Sequence, residues 1–162
     1  SPARCPCPCT RPMKLSTHPL WLVGFRPFFA LACLAGLSLP PVWALIFAGT
    51  IAPPPAPFSP SQWHAHEMFF GFGWAVLGGF LLTASKNWVK VRGYHGVPLI
   101  LLVVAWLLER AGMWFAGELP PLVFRLASNL FLASIVGMVL WTLARHRDTD
   151  SFRDNYFFLI IT

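Results

Sequence analysis

The sequence predicts an all-α protein: a polytopic membrane helical bundle with four full transmembrane helices, the start of a fifth, and a cytoplasmic N-terminus. Three observations predict it. Hydrophobic residues make up 56% of the 162 residues and charged residues 11%, with a mean hydropathy of +0.61. Soluble domains carry about 25% charged residues, and a chain this short leaves too much surface exposed to hide that much apolar sequence. Apolar runs of about 20 residues, the length that crosses a bilayer, recur between short polar connections. Lysine and arginine then fall in alternate connections, the signature of a chain that crosses repeatedly.

The elements follow in order. Residues 1–14 read as an unstructured leader, or as sequence upstream of a start at Met13, since termini are seldom ordered. Cys5, Cys7 and Cys9 lie there among prolines; thiolates suit soft metals, but the fixed φ of proline hinders wrapping three sulfurs around one ion. No small-residue cleavage site marks a secretory signal. The first span covers about 27–51, with Pro27 at its start, where a missing N–H costs nothing. Pro40-Pro41 should kink or locally break it, and Cys33 within it reads as inert packing. A proline-rich loop, Pro53 to Pro60, leads to a second span at about 66–84. The third covers 97–116 and the fourth 121–144. A fifth begins at 156–162, so the chain reads as the N-terminal part of a larger membrane domain, with further transmembrane helices and the lipid bilayer as its partners.

Orientation comes from the charges. Arg11, Lys14 and Arg26 precede or open the first span; Lys86, Lys90 and Arg92 follow the second, and Arg145, Arg147 and Arg153 follow the fourth. The connections 52–62 and 117–120 contain no lysine or arginine. The positive-inside rule then places the N-terminus in the cytoplasm, and Trp21, Trp88, Trp141, Trp63 and Trp114 fall at span boundaries as an aromatic belt requires. The net charge of +6 is spread over short loops with no basic stripe, which excludes nucleic acid as a partner.

On this map the polar residues that must lie in or near hydrocarbon gather in the outer leaflet: His64, His66, Glu67, Glu109, Arg110, Arg125 and Asn129. Each charge costs about 2.5–3.5 kcal/mol at a bilayer centre, so such residues mark function. Glu109 and Arg110 are sequence neighbours pointing about 100° apart, which predicts that each needs a partner on another helix or a ligand. Trp63-His64-Ala65-His66-Glu67 opens the second span. On an extended segment His-x-His puts both imidazoles on one side, suited to one copper or zinc ion. On a helix the two lie about 200° apart and serve different partners. His66, backed by Glu67, suits an axial haem ligand, with Arg110 or Arg125 pairing the propionates; alternatively both histidines only cap the helix among headgroups. Gly71, Ala75 and Gly79 recur every four residues, a spacing for close helix contact or for approach of a flat cofactor. Paired hydrolase glutamates, a phosphate-cradling glycine loop and a nucleophile elbow are all absent.

Several stretches together resemble the NnrS family: Gly24-Phe25-Arg26-Pro27-Phe28-Phe29, Trp63-His64-Ala65-His66-Glu67-Met68 with Gly71-Phe72, Phe80-Leu81-Leu82-Thr83-Ala84 with Asn87-Trp88, and Asn155-Tyr156-Phe157-Phe158. The resemblance runs from about Leu15 to the last residue. It implies a polytopic inner-membrane protein containing haem and copper, linked to nitric-oxide stress and denitrification, with His64 and His66 as metal ligands. Glu67 would support them from behind, with Glu109 and Asn129 in the same outer layer. The alternative is a transporter or assembly factor whose polar pocket binds a small solute without redox chemistry. A cysteine placed at Ser59, in a background lacking the native cysteines, should react with an impermeant thiol reagent from outside; labelling from the cytoplasm alone inverts the map.

Overall fold

The computed structural model describes residues 18–54, 58–88, 90 and 92–145. The cysteine-rich leader and the start of the fifth span lie outside the described residues. Within them the secondary structure is helical, and four helical rods are long and apolar enough to cross a membrane. We denote the helices α1 (Phe25–Phe47), α2 (Pro60–His66), α3 (Trp74–Trp88), α4 (Val97–Trp114) and α5 (Pro121–Arg145). A π-helical segment, Glu67–Gly73, joins α2 to α3, so that Pro60–Trp88 forms one rod of 29 residues.

Two boundaries differ from the sequence reading. α1 runs from Phe25 to Phe47 with Pro40 and Pro41 inside it. The prolines remove two backbone donors, yet the helix continues through them to Phe47 and does not break there. The second rod begins at Pro60, six residues before His66, because Ser59 and Gln62 form a reciprocal capping box and Pro60 takes the first helical position. In that box the Ser59 hydroxyl accepts from the Gln62 N–H at 3.2 Å, and the Gln62 amide oxygen accepts from the Ser59 N–H at 2.9 Å. This satisfies two helix-end donors at once. The histidines therefore lie inside the helix and do not cap it.

The long rod is the centre of the bundle. Half of its apolar window is buried, against 17% for α1 and for α5. Small residues set how closely the others approach. A Cβ at Gly79 would lie 3.0 Å from Phe28 Cβ and 3.3 Å from Phe25 Cα, and one at Gly78 would collide with Ile135 of α5. The Phe25 N–H, left over at the start of α1, donates to the Thr83 hydroxyl of α3 at 3.1 Å. Between these contacts Phe28, Phe131, Ile135, Leu99 and Val139 fill the main core. A second cluster of Ile46, Trp63 and Met113 closes the other end, where Trp63 meets Trp114 edge to face.

The outward faces are apolar too: Leu37 is 75% exposed and Leu101 63%, which fits lipid on that surface rather than water. Cys33, read from sequence as packing, is exposed on α1. At the end opposite the Trp63–Trp114 contact, the starts of α1 and α4 meet the ends of α3 and α5. The Gly96 N–H donates to the Trp21 carbonyl at 2.8 Å there, and Lys86, Lys90, Arg92 and Arg145 collect around the junction. The fold thus brings the separate basic loops to one end, as the charge alternation requires.

Gly78→Val should lower stability by about 1–3 kcal/mol through overpacking against Ile135, read as a shift in thermal unfolding in detergent. Gly137→Ala, where a Cβ meets nothing within 4 Å, should leave the midpoint nearly unchanged.

Candidate functional site: a buried ion-pair cluster beneath a π-helical segment

Glu67 opens the π segment, and its carboxylate points into the bundle with the residue 2% exposed. A carboxylate so placed in an apolar medium needs a cation. Arg110 of α4 supplies it, Nη1 donating to Glu67 Oε2 at 3.1 Å. The same guanidinium folds back so that Nη2 lies 2.9 Å from Glu109 Oε1, an ion-pair contact without hydrogen-bond alignment. The expected partner on another helix is present for Arg110, in Glu67, while the contact between the neighbours Glu109 and Arg110 goes beyond what their 100° separation suggests. The Arg110 side chain is long enough to turn its fork across the gap between adjacent helical positions.

The space for that fork comes from glycine and from the π segment. A Cβ at Gly71 would lie 2.5 Å from Arg110 Nη1 and 3.3 Å from Glu67 Oε2. The Trp74 N–H reaches back five residues to the Phe69 carbonyl. Such wide turns are rare and concentrate at functional sites. The Gly71 carbonyl accepts from the Trp106 indole N–H at 3.0 Å, and the guanidinium lies 5.6 Å from the Trp106 ring centroid. Backbone, indole and ion pair thus hold one another. The glycine recurrence splits into two uses: Gly79 admits α1, whereas Gly71 admits the charged group of Arg110, leaving no room for a flat cofactor there.

Both histidines lie on α2 and turn to different neighbours. His64 stacks on Trp43 of α1, with centroids 4.8 Å apart. His66 packs against Phe70 at 4.6 Å, and its Nδ1 is 3.6 Å from Glu67 Oε1, beyond hydrogen-bond reach. The Nδ1 atoms of both rings are buried without a hydrogen-bond partner, as are Glu67 Oε1, Glu109 Oε2 and Arg110 Nε. The extended single-ion geometry for His-x-His therefore gives way to the helical one. Arg125 and Asn129 do not join the cluster. Both are exposed on α5, where the Asn129 amide donates to the Arg125 carbonyl at 2.8 Å.

Beside the cluster a cleft of about 540 Å3 opens between α1 and α4. It is apolar except for Ser38, Glu67 and Arg110, and neither histidine lines it. Sequence reasoning missed three participants. Trp106, Gly71 as a charge cradle and Ser59 as the cap carry only weak local signals, of which the Ser-Pro-Ser-Gln run was the readable one.

The fold and the cluster define a polytopic membrane protein that keeps one cation and two carboxylates paired inside its apolar bundle. Residues 19–162 match the family model described as NnrS protein. The chain belongs to the NnrS family. Comparison with curated proteins and with solved structures gives no match.

Arg110→Ala leaves two carboxylates buried without a cation and should destabilise the protein by about 3–5 kcal/mol. A Glu67→Gln, Arg110→Gln double variant should recover part of that loss in detergent unfolding, and Gly71→Ala should resemble the single variant by displacing the guanidinium.

Proposed function

We propose that this chain forms the outer-leaflet ligand wall of an NnrS-type membrane haem–copper protein that acts in nitric-oxide stress or denitrification. Family membership supports the class. The observation that carries the assignment of residues is His66, held against Phe70 with its Nδ1 turned to the Glu67 carboxylate. A carboxylate behind one ring nitrogen fixes the tautomer and leaves Nε2 to bind a metal. At 3.6 Å that contact must shorten when the ring ligates.

The donor set fits single ligands rather than a closed site. Among the described residues no group of three or more His, Cys, Asp or Glu could hold a metal ion. His66 and His64 each offer one imidazole, suited to a haem axial position or to copper, and further donors must come from beyond the described residues. Haem or copper, when bound, supplies the one-electron chemistry that acts on a diatomic ligand. Arg110 lines the cleft, and exposed Arg125 offers a cation for haem propionates. Glu67 and Glu109 hold Arg110 in place, and Asn129 orders the backbone beside Arg125.

A second reading, a transporter or assembly factor whose cleft binds a small solute without redox chemistry, is favoured by one observation: Arg110 and Glu67 line the cleft and the histidines do not. Spectra of the purified full-length protein separate the two. The haem–copper reading expects a Soret band or stoichiometric copper, with His66→Ala lowering the metal content by half or more. Absence of both cofactors sinks it in favour of the solute pocket. Unchanged metal content in both His64→Ala and His66→Ala overturns the ligand assignment while leaving the class intact.

A further inference from the structure

The basic end of the bundle holds a feature that the outer-leaflet site does not use. Lys86 and Arg92 stand between two adjoining cavities, of about 380 and 260 Å3, and the second also reaches Arg145. Among the described residues no acidic side chain lines either cavity. Among the described residues every ion pair lies in the Glu67 cluster, and none involves these cations. Gly93 lets the Lys86 stem pass close over the α3–α4 connection, since a Cβ there would lie 2.9 Å from Lys86 Cδ. The Arg145 guanidinium lies over Trp141, 5.9 Å from the ring centroid. Like charges held together with no acidic partner among the described residues raise the local potential and favour an anion.

The second cavity does not stop at the loop. It shares Tyr94, Pro98 and Trp141 with an apolar groove of about 720 Å3 between α4 and α5, floored by Leu101, Ala105, Leu108, Ala133 and Gly137. Tyr94 fixes the junction: its hydroxyl donates to the Met138 carbonyl at 3.1 Å and lies 3.1 Å from the Thr142 hydroxyl. A cationic mouth thus opens onto a lipid-facing channel running towards the bilayer centre. A free phosphate or nucleotide has no use for that channel, and an acyl chain alone has no use for the mouth.

We propose that this composite site binds an anionic phospholipid of the cytoplasmic leaflet, its phosphate on Lys86, Arg92 and Arg145 and one acyl chain along the α4–α5 groove. Basic pockets between transmembrane helices on that side are suited to such headgroups. Arginine forks match phosphate oxygens in pairs, while lysine contributes a point charge.

Native mass spectrometry of the full chain in detergent, titrated with dioleoylphosphatidylglycerol or dioleoylphosphatidylcholine, tests the proposal. One phosphatidylglycerol should be retained at least tenfold more tightly than phosphatidylcholine, and excess inorganic phosphate should not displace it. A Lys86→Gln, Arg92→Gln, Arg145→Gln variant should lose the preference. Gly137→Phe fills open groove space, so it should weaken phosphatidylglycerol at least fivefold with the unfolding midpoint unchanged. Equal retention of both lipids overturns the proposal. So does displacement by phosphate with Gly137→Phe silent, which marks a headgroup-only anion site. A Gly137→Phe variant that unfolds early while lipid binding is unaffected also overturns it, and assigns the groove to a protein segment following Arg145.

Discussion

The pairing of Glu67 with Arg110 is the interaction on which the arrangement of this bundle depends. Neither group can face lipid or stand alone in the interior, so the rod Pro60–Trp88 and α4 must meet at one height and one rotation. Apolar helices in a bilayer have little hydrophobic reason to prefer one mutual register, because lipid tails solvate them as well as a neighbour does. A buried ion pair supplies the missing specificity: a slip of one residue leaves a carboxylate or a guanidinium uncompensated. Glu109 shares the same guanidinium, so the penalty for a slip falls on three charged groups together.

The π segment is the backbone's share of that arrangement. Its Gly71 carbonyl accepts from the Trp106 indole, and its glycine surface lies open for the guanidinium. The hydrogen bonds that Trp106 and Arg110 of α4 make to the central rod are therefore received by residues 67–71. It also joins the cluster to the histidines, since His66 ends α2 and Glu67 begins the π segment. A ligand drawing on His66 would pull on the carboxylate that anchors Arg110, which gives the outer site a direct mechanical link to helix packing.

The two ends of the bundle differ in how charge is managed. In the half that holds Glu67, opposite charges are buried together and largely neutralise one another. At the basic end, cations have no acidic partner among the described residues and border an apolar groove. The first arrangement fixes helix register in a medium of low polarity. The second leaves electrostatic work undone, which is the condition for recruiting a mobile anion from the membrane. Structural stability and ligand recruitment are thereby assigned to opposite ends of the same rods.

Fold class and the presence of four span-capable rods were determined by the sequence itself. Length and apolarity of a segment decide membrane insertion without reference to its neighbours, and charge alternation decides which loops share a side. The family resemblance read from short motifs also agrees with the match over residues 19–162. Only the tertiary structure decided which of the outer residues meet. Glu67, Arg110 and Glu109 converge while Arg125 and Asn129 stay on an exposed face of α5. An α-helical reading of residues 67–73 carries no hint of the π turn, because that turn is stabilised by Trp106 and Arg110 from another helix, long-range partners that no local pattern encodes. The same holds for the basic mouth and its groove, whose cations lie up to 59 residues apart, from Lys86 to Arg145, and become neighbours only when α3, α4 and α5 pack.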